Sequence, residues 1–478
     1  MNAALSPVNA PDLDVLFREQ RDNRWAIRQT SIEQRIETLK SFKTVMEQHR
    51  PALIAALRDD CGKHPAEAQG SDIDPVMHEI DQMISNLAKW AAPKKITTPL
   101  TMGLTSAEVI YEPLGQVLVL SPWNYPVNLA LVPVVGAIAA GNVVILRPSE
   151  KTPKTSQLLK KITDQAFDRK HVATVLGDSS MAKALTAMPF DHIFFTGSSK
   201  VGKTIMEAAS KNLASVTLEL GGKSPTIVTK NADLSLAASR IVWGKFVNAG
   251  QTCIAPDHVW VDASVQDDFL AEVTAQISKL WGDVHQQKTK GDYAKIISSD
   301  SAKHLKDLLD QDVAKGAHVV VGGTVDAAQR FFEATVVSGI TADHALMQSE
   351  IFGPILPVLA YEQLDDVLKH LQQQPKPLAM YVFSGDKAEL GHIRTLSTSG
   401  GLVENGTMVH FSVAGLPFGG VNNSGLGHYH GEYSFLTFSH ARSTVHDSKV
   451  SLISTRFPPY SDSEGDLDYL RHAPRGVN

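Results

Sequence analysis

Short apolar runs alternate with helical patterns between residues 116 and 220, and this alternation limits the fold more than any other feature of the sequence. The runs at 116–120 and 142–146 are apolar at nearly every position, as strands buried on both faces are. An Ala-rich stretch at 127–140 separates them and is typical of a buried helix. Strands that alternate with helices in this way predict a doubly wound parallel sheet with helices on both of its faces.

A second alternation begins after the Gly-Gly-Lys-Ser-Pro run at 221–225. Residues 234–248 predict an apolar helix and residues 258–261 a strand. The first 90 residues are helical in pattern, with Ser31 as a helix N-cap. We therefore expect an α/β fold built from two α/β units, with a boundary near residue 221.

The composition indicates a globular protein of a reducing compartment. The 478 residues are 43% hydrophobic and 20% charged, and the net charge of −6 does not favour nucleic-acid binding. Cys61 and Cys253 are the only cysteines, so no disulfide framework is expected. Neither a signal peptide nor a membrane anchor is expected, because no apolar window is long enough, and we predict a cytoplasmic location.

Cys253 lies in a loop of small and polar residues between a predicted helix and a predicted strand. Backbone N–H groups at such a break can hold an oxyanion beside a nucleophilic thiolate. A lone cysteine is more often a buried structural residue, and the local sequence alone favours that interpretation. The residues around Cys61 lack partners at metal-ligand spacing, so we expect no metal site.

Three further polar side chains follow or precede predicted strands, where ligands bind in open α/β sheets. Asn124 offers an amide donor for an oxyanion, or it caps the next helix. Glu219 is a candidate general base, although most single carboxylates are surface or ion-paired groups. Glu350, with Phe352 beside it, is a candidate for binding ribose hydroxyls, or it is an ordinary loop carboxylate.

Two other stretches have features of a dinucleotide site. Gly197, Ser198 and Gly202 form a strand-to-helix turn whose helix N-terminus can face a pyrophosphate. Their spacing is not the G-x-G-x-x-G fingerprint, and many such turns are only connections. A second candidate for a ribose site follows another predicted strand and consists of Arg147, Ser149 and Glu150.

Together these stretches resemble the NAD(P)-dependent aldehyde dehydrogenase superfamily from about residue 32 to residue 440. Details near Trp123 and Cys253 are similar to the class 3 branch, which acts on fatty and aromatic aldehydes, and within it to the coniferyl aldehyde dehydrogenases. Six motifs occur in the family's order: Pro122-Trp123-Asn124-Tyr125-Pro126, Phe195-Thr196-Gly197-Ser198, Glu219-Leu220-Gly221-Gly222-Lys223, Gly250-Gln251-Thr252-Cys253, Glu350-Ile351-Phe352-Gly353-Pro354 and Leu416-Pro417-Phe418-Gly419-Gly420.

The resemblance implies a domain plan and an oligomeric state. Residues 1–93 and 112–221 are expected to form a Rossmann-type parallel-sheet cofactor domain, and residues 222–415 an α/β catalytic domain. Residues 94–111 and 430–478 are expected to form a small β oligomerisation segment, since class 3 relatives imply a homodimer.

The resemblance also implies roles. Cys253 attacks the aldehyde carbon, Asn124 and the Cys253 N–H hold the oxyanion, and Glu219 activates the hydrolytic water, with the acid at 350 as the alternative base. NAD or NADP is the cofactor, and Arg147, where the family often has Lys, leaves the preference open. Cofactor contacts are implied for Trp123, Arg147, Ser149, Glu150, Gly197, Ser198, Gly202, Leu220, Gly221, Glu350 and Phe352. Substrate contacts are implied for Tyr125, Trp243, His410 and Phe411.

Two alternatives stay open at this point. One is an acylating aldehyde dehydrogenase that transfers the thioester to coenzyme A, which the presence of a suitable Glu base disfavours. The other is a catalytically silent cofactor-binding or structural relative, which the intact set of Cys253, Asn124 and Glu219 disfavours.

Overall fold

The computed structural model of the chain describes residues 10–449 and 457–458. The predictions that fall on residues 1–9 and on the remainder of 450–478 lie outside the described residues. The helices are α1 Ala10–Arg28, α2 Ile32–Cys61, α3 Pro65–Ala68, α4 Asp74–Trp90, α5 Asn128–Ala140, α6 Pro153–Ala166, α7 Ser179–Ala187, α8 Ser199–Ser210, α9 Leu234–Phe246, α10 Gln266–Trp281, α11 Val284–Thr289, α12 Ser299–Ala314, α13 Ala345–Gln348, α14 Leu364–Gln373, α15 Lys387–Leu396 and α16 Glu432–Thr437. The strands are β1 Lys94–Ile96, β2 Ser106–Pro113, β3 Gln116–Leu120, β4 Val143–Arg147, β5 Val172–Thr174, β6 His192–Thr196, β7 Ser215–Glu219, β8 Pro225–Val228, β9 His258–Asp262, β10 His318–Val321, β11 Val325–Asp326, β12 Phe331–Phe332, β13 Thr335–Ser338, β14 Ile355–Tyr361, β15 Ala379–Phe383, β16 Gly401–Glu404, β17 Gly425–Leu426 and β18 Ser439–His446.

The first α/β sheet has six strands in the order β17-β7-β6-β3-β4-β5. The five strands from β3 to β7 are parallel, and β17 adds an antiparallel edge next to β7. All residues of β3, β4 and β6 are buried, which explains why their sequences are apolar except at the strand ends. The predicted parallel sheet is therefore confirmed, and its strand order changes direction beside β3, where ligands bind in such folds.

The second α/β sheet has seven strands in the order β10-β13-β14-β9-β8-β15-β16. Its pairs are parallel except for β10 with β13 at one edge. The chain passes from the first sheet to the second between β7 and β8, through residues 220–224. This crossing lies where the Gly-Gly run of the sequence interrupts the first alternation.

A third, smaller sheet joins distant parts of the chain. Strand β2 pairs with β1 on one side and with β18 on the other, and the β2–β18 pairing covers eight residue pairs. The sequence predicts one strand-like stretch at 96–111, whereas the structure has two strands there, because the 3₁₀ turn Leu100–Met102 and Gly103 reverse the chain. The sequence also predicts only extended segments near the C-terminus, whereas Glu432–Thr437 is helical.

Helix α5 is the central element of the core, and all of its 13 residues are buried. It packs against α4, α16 and the strands β3 and β4. An apolar helix that is covered all round has no amphipathic stripe, which explains the absence of polar positions in its sequence after Asn128. The N-terminus of α5 follows the loop 121–127, so a rigid α5 also fixes that loop.

Candidate active site

Cys253 lies in a tight loop that follows the end of α9. After Phe246 the chain makes a short 3₁₀ turn, in which Asn248 and Ala249 have φ angles of 52° and 51°. These left-handed conformations cost energy for residues with a Cβ, so surrounding contacts must hold them. The Asn248 side-chain amide supplies such contacts, since it donates to the main-chain oxygens of Asn124 at 3.0 Å and Gln251 at 3.1 Å.

Cys253 lines a cavity of about 460 Å³ whose walls are largely apolar. Four residues that the sequence analysis selects line the same cavity: Tyr125, Glu219, Trp243 and Phe411. They come from the β3–α5 loop, the end of β7, helix α9 and the 3₁₀ turn Val409–Ser412. The fold thus brings together in one cavity residues that are far apart in sequence.

Glu219 is the last residue of β7 and is 2% exposed. Both of its carboxylate oxygens are buried without a hydrogen-bond partner in the protein. Burial away from water disfavours the charged form, and the pKa of the carboxyl is therefore raised well above its usual range. A buried, unpartnered carboxyl beside a thiol is the arrangement expected of a general base.

Asn124 is buried behind the loop of Cys253 and does not line the cavity. Its side-chain nitrogen donates to the main-chain oxygen of Gln251 at 3.1 Å, two residues before the cysteine. An amide nitrogen carries two hydrogens, so one of them is left for another acceptor. Gln251 is held in turn, because its own side-chain oxygen accepts from the Ile297 N–H at 2.8 Å.

A fully buried ion pair holds the loop that carries Asn124. Lys63 and Asp72 both have no exposed side-chain surface, and the Lys63 Nζ lies 2.6 Å from the Asp72 carboxylate. The same Nζ donates to the main-chain oxygen of Asn124 at 2.8 Å and lies 3.9 Å from the centre of the Tyr125 ring. The other oxygen of Asp72 accepts from the Val127 N–H at 3.1 Å, at the start of α5. The pair thereby anchors the middle of the loop and the end that enters α5.

The Cys253 thiol is neutral in this environment. Burial and, to a smaller extent, the nearby carboxylates of Glu350 and Glu219 together raise its pKa to about 12. The pKa of Glu350 is itself raised, to about 8, chiefly by burial and then by Asp257. A thiol held in this way needs a base to take its proton when it reacts.

Glu350 lies against the crossing between the two sheets. It accepts a hydrogen bond from the Gly222 N–H, and a Cβ at Gly221 would come within 2.2 Å of its carboxylate. A side chain at 221 would therefore displace the Glu350 carboxylate from this position. Glu350 lines a second cavity of about 430 Å³, together with Ser199 and Lys203 of α8, and Glu219 lines the cavity of Cys253.

The predicted dinucleotide turn connects β6 to α8 as expected. Ser198 is the N-cap of α8 and accepts from the Val201 N–H at 3.4 Å. A Cβ at Gly202 would lie 2.7 Å from the Leu220 side chain, so this glycine allows the helix to pack closely on the strand end. A helix N-terminus at the carboxyl edge of a parallel sheet fits a pyrophosphate.

The remaining predicted cofactor residues form two small groups near the same edge. Arg147, the last residue of β4, pairs with Glu150 at 2.5 Å, and its buried Nε has no hydrogen-bond partner in the protein. The Trp123 and Phe352 rings are in edge contact, with their centres 5.5 Å apart. This contact joins the β3–α5 loop to the segment that carries Glu350. Ser149 is buried after β4. The unpartnered Nε of Arg147 could donate to a ribose hydroxyl, and the partly exposed carboxylate of Glu150 could accept from one.

The structure places one predicted substrate residue outside the cavity wall. The His410 ring stacks on Phe418 with the ring centres 5.7 Å apart, and it is Phe418 that lines the cavity. Phe418 also stacks on His430 at 5.1 Å, and His430 lines the cavity as well. Tyr429, next to His430, forms a bridge with Phe418, and His430 itself has a φ of 78°.

The sequence analysis misses several residues of the cavity wall. Glu67 belongs to α3, Ser71 to the turn between α3 and α4, and Asn128 begins α5. No motif marks these positions, and only their placement in three dimensions shows their relation to Cys253. Within residues 10–449 and 457–458, no group of three His, Cys, Asp or Glu side chains could hold a metal ion. No helix in that part of the chain is long and apolar enough to cross a bilayer.

Comparison with known proteins agrees with this geometry. The aldehyde dehydrogenase family model matches residues 4–444, and the chain belongs to this family. A protein of Pseudomonas aeruginosa described as "Probable coniferyl aldehyde dehydrogenase" is 39% identical over 96% of this chain and 95% of its own length. The "Aldehyde dehydrogenase, dimeric NADP-preferring" of Canis lupus familiaris is 39% identical over 89% of this chain and 93% of its own.

A solved structure gives the same result for the fold. The substrate-bound state of Staphylococcus aureus AldH superposes with a TM-score of 0.92 at 36% identity, and covers 97% of this chain and 99% of its own. The resemblance to the aldehyde dehydrogenase superfamily and its class 3 branch, and the fold it implies, are thus confirmed.

Replacement of Lys63 by Met tests whether the buried ion pair holds this site. Loss of one partner leaves Asp72 charged and buried, so the free energy of unfolding should fall by about 3–5 kcal/mol. Urea denaturation measures this change. The double variant Lys63→Met/Asp72→Leu should recover much of the loss, since it removes both charges.

Lys160 provides a matched control, because it forms an exposed pair with Asp164 at 2.8 Å within α6. Lys160→Met should change the free energy of unfolding by less than about 1 kcal/mol. Equal effects of the two Lys→Met substitutions would contradict the anchoring role of Lys63.

Proposed function

We propose that the protein oxidises an aldehyde to a carboxylic acid with Cys253 as nucleophile, Glu219 as general base and Asn124 as oxyanion donor. One observation carries the proposal: a thiol and a buried carboxyl without hydrogen-bond partners line the same largely apolar cavity. A lone structural cysteine would not need an unpartnered carboxyl beside it, because such a group costs stability.

The reaction begins when the Cys253 sulfur forms a bond to the aldehyde carbon and its proton passes to a base. The carbonyl oxygen becomes an oxyanion, which the second hydrogen of the Asn124 amide and the Cys253 N–H stabilise. A bound NAD or NADP would supply the acceptor for the hydride that leaves this carbon. The carbon is then oxidised to a thioester on Cys253.

Hydrolysis of the thioester completes the reaction. Glu219 takes a proton from a water molecule, the water oxygen bonds to the thioester carbon, and the carbon–sulfur bond breaks. The sulfur recovers a proton and the carboxylic acid leaves. Glu219 fits this role better than Glu350 does. Glu219 lines the cavity of Cys253, and its carboxylate has no hydrogen-bond partner in the protein. Glu350 accepts from the Gly222 N–H and lines the neighbouring cavity.

The cofactor is NAD or NADP. We propose that the α8 N-terminus at Ser198 faces its pyrophosphate and that Glu350 binds the nicotinamide ribose beside Phe352. We also propose that Arg147, Ser149 and Glu150 contact the adenosine ribose. Arg147 can bind a phosphate as well as a hydroxyl, so either dinucleotide fits this group.

The substrate proposed is an aromatic aldehyde of the coniferyl type or a medium-chain to long-chain aliphatic aldehyde. Aromatic side chains from three elements line the cavity, including Tyr125, Trp243 and Phe411, and they favour an apolar, flat ligand. The Pseudomonas aeruginosa relative is described by the coniferyl activity, which supports the aromatic choice.

We further propose a cytoplasmic homodimer. A free nucleophilic thiol is kept reduced in the cytoplasm, and both cysteines are free here. The three-stranded sheet β1-β2-β18 exposes most of β1 and β18 and offers an edge to a second copy. Light scattering on the purified chain measures the mass, and a monomer would contradict this part of the proposal.

Cys253→Ala should abolish the formation of NAD(P)H from aldehydes, because no other group in the cavity can form the thioester. Absorbance at 340 nm measures this reaction with a panel of aromatic and aliphatic aldehydes. Cys61→Ala is the matched control and should retain activity, since Cys61 is the other cysteine and does not line the cavity. Turnover by Cys253→Ala would exclude it as the nucleophile.

Glu219→Gln should separate the two halves of the reaction. Hydride transfer precedes hydrolysis, so this variant should release about one equivalent of NAD(P)H in a burst and then turn over roughly 10²–10⁴-fold more slowly than the wild type. Stopped-flow absorbance measures both phases. Restoration of fast turnover by coenzyme A alone, or strict dependence of the wild type on coenzyme A, would support acyl transfer in place of hydrolysis.

A further inference from the structure

Besides both oxygens of Glu219 and the hydroxyl of Thr196, the cavity of Cys253 is lined by two buried side-chain oxygens for which the protein supplies no donor. One is the Oε1 of Glu67 and the other is the Oδ1 of Asn128. Neither takes part in the reaction proposed above. Buried acceptors are normally paired, so two unpaired ones on one cavity wall point to a ligand that carries the donor.

The hydrogen bonds around these groups fix their orientation. The Asn128 Nδ2 donates to the main-chain oxygen of Ser71 at 3.0 Å, which leaves the Oδ1 as the free end of the amide. Ser71 also bonds to the main chain of Glu67, since its hydroxyl donates to the Glu67 oxygen at 2.7 Å. Ser71 lines the same cavity, and its two hydrogen bonds connect the residues that carry the unpartnered oxygens, Glu67 and Asn128.

The second oxygen of Glu67 is already used. It accepts from the Asn248 N–H, which ties Glu67 to the loop of Cys253. Burial raises the pKa of Glu67 to about 7, and the nearby Lys63 lowers it. The carboxyl can thus accept a hydrogen bond near neutral pH through the one oxygen that remains.

We propose that Glu67 and Asn128 form a subsite that binds a hydroxyl group of the aldehyde substrate, and that the preferred substrates are hydroxylated aromatic aldehydes. This inference rests on the proposed function and adds a specificity element to it. The aromatic part follows from the rings that line the rest of the wall, Tyr125, Trp243 and Phe418. A hydroxyl fits better than an ammonium group, because Lys63 already places a positive charge near Glu67.

Two substrates test the subsite, one with a hydroxyl group that can donate a hydrogen bond and one in which a methyl group replaces that hydrogen. The ratio of kcat/KM for 4-hydroxycinnamaldehyde to that for 4-methoxycinnamaldehyde should be at least tenfold in the wild type. Sites that are built to bond a hydroxyl discriminate strongly against analogues that lack it. The ratio should fall towards one in Glu67→Leu and in Asn128→Leu, and it should be largely retained in Asn128→Asp, which keeps the acceptor oxygen.

A ratio near one in the wild type, or an unchanged ratio in both Leu variants, would overturn the subsite. Binding to Cys253→Ala, measured by calorimetry with the same two aldehydes, gives a readout that does not need turnover. Tighter binding of the hydroxyl compound without turnover by the wild type would reject the proposed function and support the subsite. Equal binding of both compounds, with turnover by the wild type, would reject the subsite and support the proposed function.

Discussion

The buried pair of Lys63 and Asp72 is the interaction on which the arrangement of this site depends. It connects the segment after α2 to the loop after β3 and to the first turn of α5. The charges are far from solvent, yet each has several partners, which is the condition under which a buried pair is tolerated. Because Lys63 bonds to the Asn124 main chain and lies over Tyr125, a shift of either charge would move Asn124, the proposed oxyanion donor, and the cavity wall together.

The two α/β sheets contribute different parts to the site. The first sheet supplies Asn124 and Glu219 from loops at the carboxyl ends of β3 and β7, and the second α/β unit supplies Cys253 and Glu350. Their meeting buries two carboxyls and a thiol, which raises the pKa of each. The same desolvation that makes these groups costly for the fold makes Glu219 a stronger base once it is ionised.

Local sequence was sufficient for much of the fold and for part of the site. The mostly apolar strands β3 and β4 and helix α5, which is apolar after Asn128, follow from burial on every side. The motifs at Cys253, Asn124 and Glu219 consist of consecutive residues and can be recognised in the sequence. Lys63, Glu67 and Asn128 could not be found in this way. The roles of Lys63 and Asn128 depend on contacts with residues 55 or more positions away in the chain. Lys63 and Glu67 are also charged residues, which are normally exposed in a helical segment.

The central claim is that an aldehyde forms a covalent thioester on Cys253. Rapid acid quenching of Glu219→Gln with aldehyde and NAD(P), followed by peptide mass spectrometry, tests this most directly, since slow hydrolysis should let the intermediate accumulate. The account predicts the mass of the acyl group on the peptide that contains Cys253 and no addition to the peptide that contains Cys61. An acyl group on Cys61, or no adduct on either peptide while NAD(P)H is formed, would contradict it.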